Sequence, residues 1–363
     1  MAQSVVFRYR RIQKGIGFFL ALFLVLLPSA SFVFSPVAEA ERITAVSSSG
    51  GASSIVIEAS TLRVLSAFDA HTPKPMASTT KILTAITVIK HVDVNRVVAV
   101  SPEAVGIEGS SIYLRAGEKW RVIDLLYGLM LRSGNDAAVQ LALTTAGSVE
   151  AFAAMMNETA YLAGAFHSHF VNPHGLHHPD HYTTAYDLAL ITAYALRDPL
   201  FCQIVSSRSH TYTVGEEKRV FVNKNKMLAG YPGAIGVKTG YTKVAGRCLV
   251  TAADRDGMRL ISVVLNEYDM WYRSADLLDA AYASYHLTPL WTAGETRTLK
   301  VRGDIRPVTV RATAYYPLTE RERKRLIWTF SLLGRPTSDA LLGEAFATLD
   351  GRVLARTNVY AAF

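Results

Sequence analysis

A serine and a lysine three residues apart stand at the head of an apolar run. Ser78 and Lys81 lie in the segment ASTTKILTAITVI. On a helix, residues i and i+3 share a face, so the serine hydroxyl and the lysine amine would point into the same space. A serine hydroxyl is a weak nucleophile unless a base lies beside it, and a lysine can be that base when its surroundings lower its pKa. The pair alone does not decide the function, because most such pairs lie on solvated helix faces.

Two further polar motifs supply what a serine–lysine pair lacks. The triplet SGN at Ser133–Asn135 interrupts an otherwise apolar helical pattern, and it offers a hydroxyl for proton relay and an amide for a substrate carbonyl. The triplet KTG at Lys238–Gly240 begins a predicted strand. It offers a cation and a hydroxyl for a carboxylate and, beside Gly240, room for an extended peptide to lie along the strand.

The three motifs occur in the order SxxK, SxN, KTG, which is the motif set of penicillin-binding proteins and class A β-lactamases. The surrounding segments PMASTTKILTA, LLYGLMLRSGNDAA, NPHGL and YPGAIGVKTGYT resemble those of the D-alanyl-D-alanine carboxypeptidase family of low-molecular-mass penicillin-binding proteins. The resemblance covers residues 50–286 strongly and residues 296–363 weakly. It implies a fold, a reaction and a role for each motif residue.

Four residues would carry the chemistry if the resemblance holds. Ser78 resembles the acyl-forming nucleophile of the family, and Lys81 resembles its general base. Ser133 resembles the proton-relay serine. Asn135 resembles the residue that orients Lys81 and the substrate amide. The identity of the base is debated for this motif class.

The substrate-binding residues implied by the resemblance follow the same positions. Lys238 and Thr239 resemble the pair that holds the substrate carboxylate, with Gly240 beside them. The oxyanion hole would be formed by the backbone N–H groups of Ser78 and Tyr241. Such donors contribute on the order of 3 kcal/mol each to transition-state stabilisation.

The implied reaction is acyl transfer. Ser78 would attack the carbonyl of the penultimate D-Ala of a peptidoglycan muropeptide, the terminal D-Ala would leave, and water would hydrolyse the acyl-enzyme. β-Lactams mimic the D-Ala-D-Ala end and would act as covalent inhibitors of the same serine. The reaction needs no cofactor.

Two other functions remain open. A serine β-lactamase needs an acid or base for fast deacylation, commonly in the pattern ExxLN, which is not found in the helical middle of the sequence. A non-catalytic wall-binding protein could keep the same fold, but the intact motif residues argue against it.

The N-terminal 40 residues predict export. The basic segment Arg8–Lys14 precedes the apolar run Gly15–Leu27, and the AEA triplet Ala38–Ala40 fits a signal-peptide cleavage site. The alternative is an uncleaved N-terminal anchor, because Gly15–Phe34 is nearly long enough to span a bilayer. In either case we expect an extracytoplasmic protein at the cell wall or periplasmic face.

The order of predicted elements favours an α+β fold. Predicted strands lie at both ends of residues 53–286 and helices fill the middle, so an antiparallel sheet would carry a separate helical layer. The resemblance makes this a penicillin-binding or serine β-lactamase-like domain over residues 41–287. Residues 288–295 read as a linker, and alternating runs in residues 296–363 predict a small all-β C-terminal domain.

Composition and charge limit the partners. The formal charge of +8 suits an anionic surface such as a cell wall or membrane. No basic run is interleaved with aromatic residues, so we expect no nucleic-acid binding. The basic run Arg321–Arg325 fits either a solvated face or a peripheral contact with a membrane. Membrane association is therefore an open expectation, through this run or through the N-terminus.

Histidines and cysteines in the sequence raise the question of a metal site or a disulfide. Six of the ten histidines lie between His167 and His181, but their spacing matches no metal-binding pattern, and NPHGL resembles a family loop that needs no metal. We therefore expect no metal. Cys202 and Cys248 lie in apolar surroundings and read as two buried thiols, although an exported protein could pair them.

Overall fold

The computed structural model describes residues 6–7, 51–301, 304–333 and 340–362. The signal peptide or anchor predicted over residues 1–40 lies outside these residues, apart from a two-residue strand, β1 (Val6–Phe7). The chain divides into two compact units. One comprises Ala38–Ala283, and the other comprises Ser284–Phe363 together with the first 37 residues.

The larger unit contains nine strands and eight helices in the described part of the chain. In chain order, with their bounds, they are β2 (Ser53–Glu58), β3 (Val64–Phe68), α1 (Lys81–His91), β4 (Val97–Ala99), β5 (Lys119–Arg121), α2 (Val122–Tyr127), α3 (Asn135–Ala146), α4 (Val149–Leu162), α5 (Ala185–Ala195), α6 (Pro199–Ser206), β6 (Ser209–Val214), β7 (Glu217–Val222), α7 (Met227–Gly230), β8 (Ala234–Thr242), β9 (Gly246–Arg255), β10 (Met258–Leu265) and α8 (Met270–Ser284). Short 3₁₀ turns cover Ala77–Thr80 and Pro102–Ala104, and a π-helical turn covers Gly128–Arg132.

A five-stranded antiparallel sheet organises this unit. Its order is β3-β2-β10-β9-β8, so strands from both ends of the unit meet in one sheet and β8 lies at an edge. The turn between β9 and β10 is made by Asp256 and Gly257, which both have positive φ angles. Two consecutive residues of this kind fit the tight hairpin turns whose twist matches antiparallel strands.

Helices fill the middle of the unit and pack on one face of the sheet. Helix α1 is buried from Lys81 to Val88, and nearly every residue of α5 is buried as well. A helix that is apolar on all sides must lie inside a core. Side chains cap several of these helices; at the start of α4, Ser148 accepts a hydrogen bond from the Ala151 N–H.

Helix α8 carries a tyrosine that binds the sheet directly. Its Tyr282 hydroxyl lies 2.7 Å from the carbonyl oxygen of Ala253 and 3.1 Å from that of Met258. The two cysteines are free thiols, and burial raises the pKa of the Cys248 thiol to about 12.

In the described part of the chain no single helix is long and apolar enough to cross a membrane. Two bent pairs, α3 with α4 and α5 with α6, reach the required length and composition. Residues of all four helices belong to the hydrophobic core of the larger unit.

The smaller unit is a β-rich domain with its own core. Its elements are β11 (His286–Trp291), β12 (Thr296–Val301), β13 (Asp304–Val310), β14 (Ala314–Leu318), α9 (Glu320–Arg323), β15 (Ile327–Leu332), β16 (Leu341–Leu349) and β17 (Arg352–Ala361). Six strands form a sheet in the order β1-β15-β16-β17-β13-β12, and β11 pairs with β14. Buried Leu290, Trp328 and Val359 lie in the core of this unit.

The local structure of this region corrects one expectation. The linker predicted at residues 288–295 is wrong in its first half, because β11 continues to Trp291 and pairs with β14. Pro289 is accommodated because each strand of a two-stranded sheet has one edge that needs no donor. In the basic run, Arg323 pairs with Glu320 and Arg325 with Asp350.

Candidate active site

Ser78 lies in a 3₁₀ turn that leads into α1. The turn is held by two threonine hydroxyls: Thr79 donates to the carbonyl oxygen of Met76 at 2.6 Å, and Thr80 donates to that of Ala77 at 2.9 Å. These short-range bonds compete with regular helix geometry, which explains why α1 begins only at Lys81. Ser78 and Lys81 nevertheless face each other across this turn, as their spacing predicts.

Lys81 is fully buried and has three oxygen neighbours. Its Nζ lies 3.0 Å from Ser78 Oγ, 2.7 Å from Asn135 Oδ1 and 2.6 Å from the carbonyl oxygen of His174. A neutral amine has two N–H bonds and one lone pair. The amide and carbonyl oxygens can only accept hydrogen bonds, so in the neutral form they take both N–H groups and the lone pair is left facing the Ser78 hydroxyl.

The electrostatic surroundings favour that neutral form. Burial, followed by the positive charge of Lys238, holds the pKa of the Lys81 amine well below its usual value, and the carboxylate of Asp136 acts in the opposite direction. The lowered pKa favours the neutral amine, which can accept the proton of Ser78.

The SGN triplet lies at a break between two helical segments. After the π-helical turn, Ser133 has a left-handed backbone with φ of 65°, and α3 begins at Asn135. Asn135 binds Lys81 and also donates from Nδ2 to the carbonyl oxygen of Glu108. Ser133 is buried, and its hydroxyl makes no hydrogen bond to any described residue. The structure thus joins Ser78, Lys81 and Asn135 in one network and leaves the Ser133 hydroxyl available.

Asp136 holds a loop beside this network and is absent from the sequence-based candidates. Its buried carboxylate accepts hydrogen bonds from the Ser111 hydroxyl at 2.6 Å, the Ile112 N–H at 3.0 Å and the Leu114 N–H at 3.1 Å. In the same loop, the carbonyl oxygen of Ser110 accepts a hydrogen bond from the Asn135 N–H. The sequence signal that could have identified Asp136 is its charge, which lies in the first turn of an otherwise apolar helix.

The KTG triplet lies on β8, the edge strand of the sheet. Lys238 is 2% exposed, and its Nζ donates to the carbonyl oxygen of Thr239 at 2.8 Å. Burial, together with the charge of Lys224, lowers the pKa of the Lys238 amine to about 7. No carboxylate of the described residues pairs with Lys238, so its charge is available to a ligand. Thr239 is half-buried next to it, and Tyr241 is 66% exposed.

Gly240 brings β8 against the Ser78 turn. A side chain at this position would place its Cβ 3.0 Å from the carbonyl oxygen of Met76, 3.0 Å from the Ser78 nitrogen and 3.1 Å from the Ala77 Cβ. The face of β8 toward which a side chain at Gly240 would point is therefore filled by the turn itself. The consequence is that Ser78 and the residue after Gly240, Tyr241, come close together at the edge of the sheet.

The NPHGL segment closes the site from the other side. The carbonyl oxygen of Pro173 accepts a hydrogen bond from the Thr84 hydroxyl at 2.7 Å, and the next carbonyl, of His174, binds Lys81. Gly175 has φ of 88°, and a Cβ there would collide with the carbonyl oxygen of Ala77. Sequence reasoning missed this function because it is performed by backbone atoms.

The buried His181 and the half-buried His174 act as neutral hydrogen-bonding groups in this segment. His181 Nδ1 accepts from the Val171 N–H at 3.1 Å, so Nε2 carries the proton and donates to the Thr80 hydroxyl at 2.9 Å. The pKa values of His174 and His181 are lowered to about 3, and burial is the main cause for both. Among the residues that the structure describes, no group of three or more His, Cys, Asp or Glu side chains could hold a metal ion.

Residues 39–269 match the family model of D-alanyl-D-alanine carboxypeptidases. The chain belongs to this family. Its members are serine peptidases, and this chain is therefore classed with the hydrolases; the β-lactamase and non-catalytic alternatives are not favoured.

Curated relatives agree with the family. D-alanyl-D-alanine carboxypeptidase DacF of Bacillus subtilis is 33% identical over 253 residues, which are 67% of this chain and 65% of that protein, just under two thirds. DacB2 of Mycobacterium tuberculosis is 34% identical over 239 residues, which are 63% of this chain and 81% of that protein.

Solved structures confirm the fold class. The crystal structure of D-alanyl-D-alanine carboxypeptidase DacD from Francisella tularensis has a TM-score of 0.69 at 25% identity, and the match covers 90% of this chain and 96% of that one. Penicillin-binding protein 5 from Haemophilus influenzae has a TM-score of 0.70 at 25% identity, with 85% and 95% covered. The predicted α+β penicillin-binding fold with a β-rich C-terminal part is confirmed.

Proposed function

We propose that this protein is a serine-type D-Ala-D-Ala carboxypeptidase that removes the terminal D-Ala from peptidoglycan pentapeptide stems through a Ser78 acyl-enzyme. The observation that carries this proposal is the buried Lys81 amine. Its two other oxygen neighbours can only accept hydrogen bonds, so the lone pair of the neutral amine faces the Ser78 hydroxyl. A base held in this way activates a serine without a histidine.

Acylation begins when Ser78 Oγ attacks the carbonyl carbon of the penultimate D-Ala while its proton passes to Lys81 Nζ. The carbonyl oxygen becomes an oxyanion, which the N–H groups of Ser78 and Tyr241 stabilise. When the intermediate collapses, the C–N bond breaks and the leaving amine takes a proton from Lys81. The unpaired hydroxyl of Ser133 is suited to relay that proton.

Deacylation uses the same groups in the opposite direction. Water attacks the ester carbonyl, Lys81 accepts a proton from it, and Ser78 Oγ leaves with a proton. Asn135 keeps the amine in place in both steps, since its Oδ1 lies 2.7 Å from Lys81 Nζ.

Recognition of the substrate end is assigned to β8. The protonated Lys238 and the Thr239 hydroxyl would bind the carboxylate of the terminal D-Ala, and a charge-assisted pair of this kind is roughly twice as strong as a neutral hydrogen bond. β-Lactams carry an equivalent carboxylate and would acylate Ser78. Because Lys238 is buried and has no acidic partner among the described residues, a carboxylate that enters finds a desolvated cation.

Release of D-Ala from a pentapeptide tests this proposal. We expect Ser78→Ala to abolish release, and we expect the exposed Ser206→Ala to match the wild type. Equal rates for Ser78→Ala and the wild type would overturn the assignment of the nucleophile. Fast steady-state turnover of benzylpenicillin, in place of a long-lived adduct, would favour the β-lactamase alternative instead.

Location follows partly from the family. Peptidoglycan lies outside the cytoplasmic membrane, so the protein is extracytoplasmic. We further propose that residues 1–40 direct export and, where they are not cleaved, attach the protein to the membrane. Solubilisation of the full-length protein by alkaline washing of membranes would contradict an anchor, whereas extraction only by detergent would support it.

A further inference from the structure

The two edges of the six-stranded sheet in the smaller unit differ in charge. Strand β12, with the sequence TRTLKV, lies at one edge, and β15, with the sequence IWTFSL, lies at the other beside the two-residue strand β1. Basic residues in an edge strand discourage pairing with another chain, and the sequence of β12 contains two. The sequence of β15 contains no charged residue and no proline. This edge is therefore open to a further strand wherever β1 does not cover it.

Export uncovers the edge of β15. In the structure β1 pairs with β15 in parallel, with Phe7 beside Phe330, so the edge accepts an extended segment. If the N-terminal 40 residues direct export, as proposed above, their cleavage removes β1. An uncleaved anchor removes it too, because the basic segment Arg8–Lys14 holds the residues before the apolar run on the cytoplasmic side. In both cases the exported protein presents β15 without β1.

The backbone groups that β15 presents at this edge belong to alternate residues. On its inner side the strand pairs with β16, and Leu333 at its end donates its N–H to the carbonyl oxygen of Leu342 at 2.7 Å. Leu333 and every second residue before it therefore turn their backbone groups towards β16. The N–H and C=O groups of Trp328, Phe330 and Leu332 point the other way, to the open edge.

This spacing is complementary to itself. In an antiparallel pair of two β15 strands centred on Phe330, Trp328 of one copy lies opposite Leu332 of the other. All three residues direct their backbone groups to the edge, so opposed residues exchange both N–H···O=C bonds, and the register gives about six backbone hydrogen bonds. The indole N–H of Trp328 donates to the Leu290 carbonyl oxygen at 3.0 Å, which holds the strand in place before a second copy binds.

The same register matches the side chains on the outer face of the strand. Ile327 of one copy meets Leu333 of the other, and Thr329 meets Ser331. Ile327 is 36% exposed and Leu333 is 47% exposed in the single chain, so pairing covers two exposed apolar side chains in each copy. No like charges are brought together, because the strand has none.

We propose that the exported protein forms a symmetric dimer in which two β15 strands pair antiparallel about Phe330 and join the sheets of the two smaller units. A two-fold contact of this kind closes on itself, and β12 with its basic residues ends the joined sheet on both sides. Edge pairing buries less surface than the roughly 1,200–2,000 Å² of a standard interface. We therefore expect a dissociation constant of about 1–100 μM.

The molar mass of the exported protein tests the dimer without any substitution. The full-length gene is expressed, the protein is recovered from the periplasm or membrane in mild detergent, and sedimentation velocity is measured from about 1 to 100 μM. Recovery there establishes export, so the mass bears on the dimer alone. We expect the mass to rise from one chain to two over this range. A mass of one chain at every concentration would overturn the proposal.

A lysine placed on each edge gives matched variants for this measurement. Ser331 is exposed, and Ser331→Lys adds a charge to the β15 edge, so it should weaken the dimer at least about tenfold. Thr298→Lys adds the same charge to an exposed position on β12 and should dimerise as the wild type does. Equal weakening by both variants would contradict pairing through β15.

Cysteine cross-linking tests the register. Thr329→Cys and Ser331→Cys are purified separately and oxidised alone and as a mixture. The opposed Cα atoms would lie about 4.5 Å apart, within the range of a disulfide, so we expect a linked dimer in the mixture only. A mixture of Thr296→Cys and Thr298→Cys on β12 is the control and should not link, and wild type gives the background of the two native thiols. Equal linking in each single variant, or none in the Thr329 and Ser331 mixture, would overturn the proposal.

Discussion

At the residue scale, the chemistry depends on two buried lysines that influence each other. Lys81 is expected to be neutral and Lys238 to be charged when substrate binds. The charge of Lys238 helps to lower the pKa of Lys81, so the group that would bind the carboxylate also prepares the base. Lys224 acts similarly on Lys238, whose pKa is about 7. The two titrations should form the two limbs of the pH profile.

Removal of the charge at Lys238 should shift the acid limb of that profile. In Lys238→Gln the neighbouring positive charge is lost, the pKa of Lys81 rises, and a smaller fraction of the amine is neutral at a given acidic pH. The acid limb of the penicillin acylation rate constant should therefore move to higher pH.

Lys224→Gln serves as the comparison for this titration. It should leave the acid limb in place and move the alkaline limb to higher pH, because the pKa of Lys238 rises when its neighbour is neutral. An acid limb that stays fixed in Lys238→Gln would show that Lys81 is not the group that titrates there.

At the element scale, the site is assembled where three segments touch the Ser78 turn. Strand β8 contacts it through Gly240, and the NPHGL segment contacts it through Gly175. The third segment is the start of α3, where Asn135 reaches Lys81. Each contact relies on a residue without a side chain or on a short polar one, so small changes in these elements should disturb the chemistry more than the stability.

Gly240→Ala should slow acylation by about 100-fold. The added Cβ would lie 3.0 Å from two backbone atoms of the Ser78 turn, so strand and turn must separate, and misplacement by up to 1 Å can cost this factor in rate. The control is Gly230→Ala, because a Cβ at Gly230 meets no atom within 4 Å. Acylation of Gly240→Ala at the wild-type rate would mean that close contact between β8 and the turn is not required.

The NPHGL segment should also make the catalytic unit sensitive to acid. Between pH 6.5 and about 3 the unfolded chain binds a proton at His181 and the folded chain does not, so the free energy of unfolding falls as the pH falls through this range. In His181→Gln this dependence should be weaker, whereas replacement of the exposed His177 by Gln should not change it. Urea unfolding at a series of pH values measures both slopes, and identical slopes would contradict the buried neutral imidazole.

The sequence predicts contacts made by side chains better than contacts made by backbone atoms. The α+β order and the proximity of Ser78 to Lys81 follow from residue types and spacing. The contribution of the His174 carbonyl does not, because every residue has a carbonyl and only the tertiary fold brings this one to Lys81. Strand β11 was missed because it is held by pairing with β14, which lies further along the chain and is not visible in the local sequence.

At the scale of the whole molecule, the chain is divided between a catalytic unit and a β-rich unit with separate hydrophobic cores. We propose that residues 41–287 form the carboxypeptidase domain and that residues 296–363 form a distinct C-terminal domain. Strand β11, which precedes residue 296, pairs with β14 of that domain. Separate cores predict that damage to one unit leaves the chemistry of the other intact.

Val359→Ala tests this independence. Val359 is fully buried in the core of the smaller unit, and loss of two methyl groups should lower the free energy of unfolding of that unit by about 2 kcal/mol. The penicillin acylation rate should not change. Trp328, in the same core, offers a fluorescence signal for the unfolding. A parallel loss of acylation would show that the two units are energetically coupled.

The central claim is that Ser78 forms a covalent acyl-enzyme with Lys81 as its base. Mass spectrometry of the protein after exposure to benzylpenicillin, followed by mapping of the modified peptide, tests it most directly. The account predicts one adduct with the mass of the intact penicillin, located on Ser78 in wild type and absent from Ser78→Ala. No adduct in wild type, or an adduct on a residue other than Ser78, would contradict it.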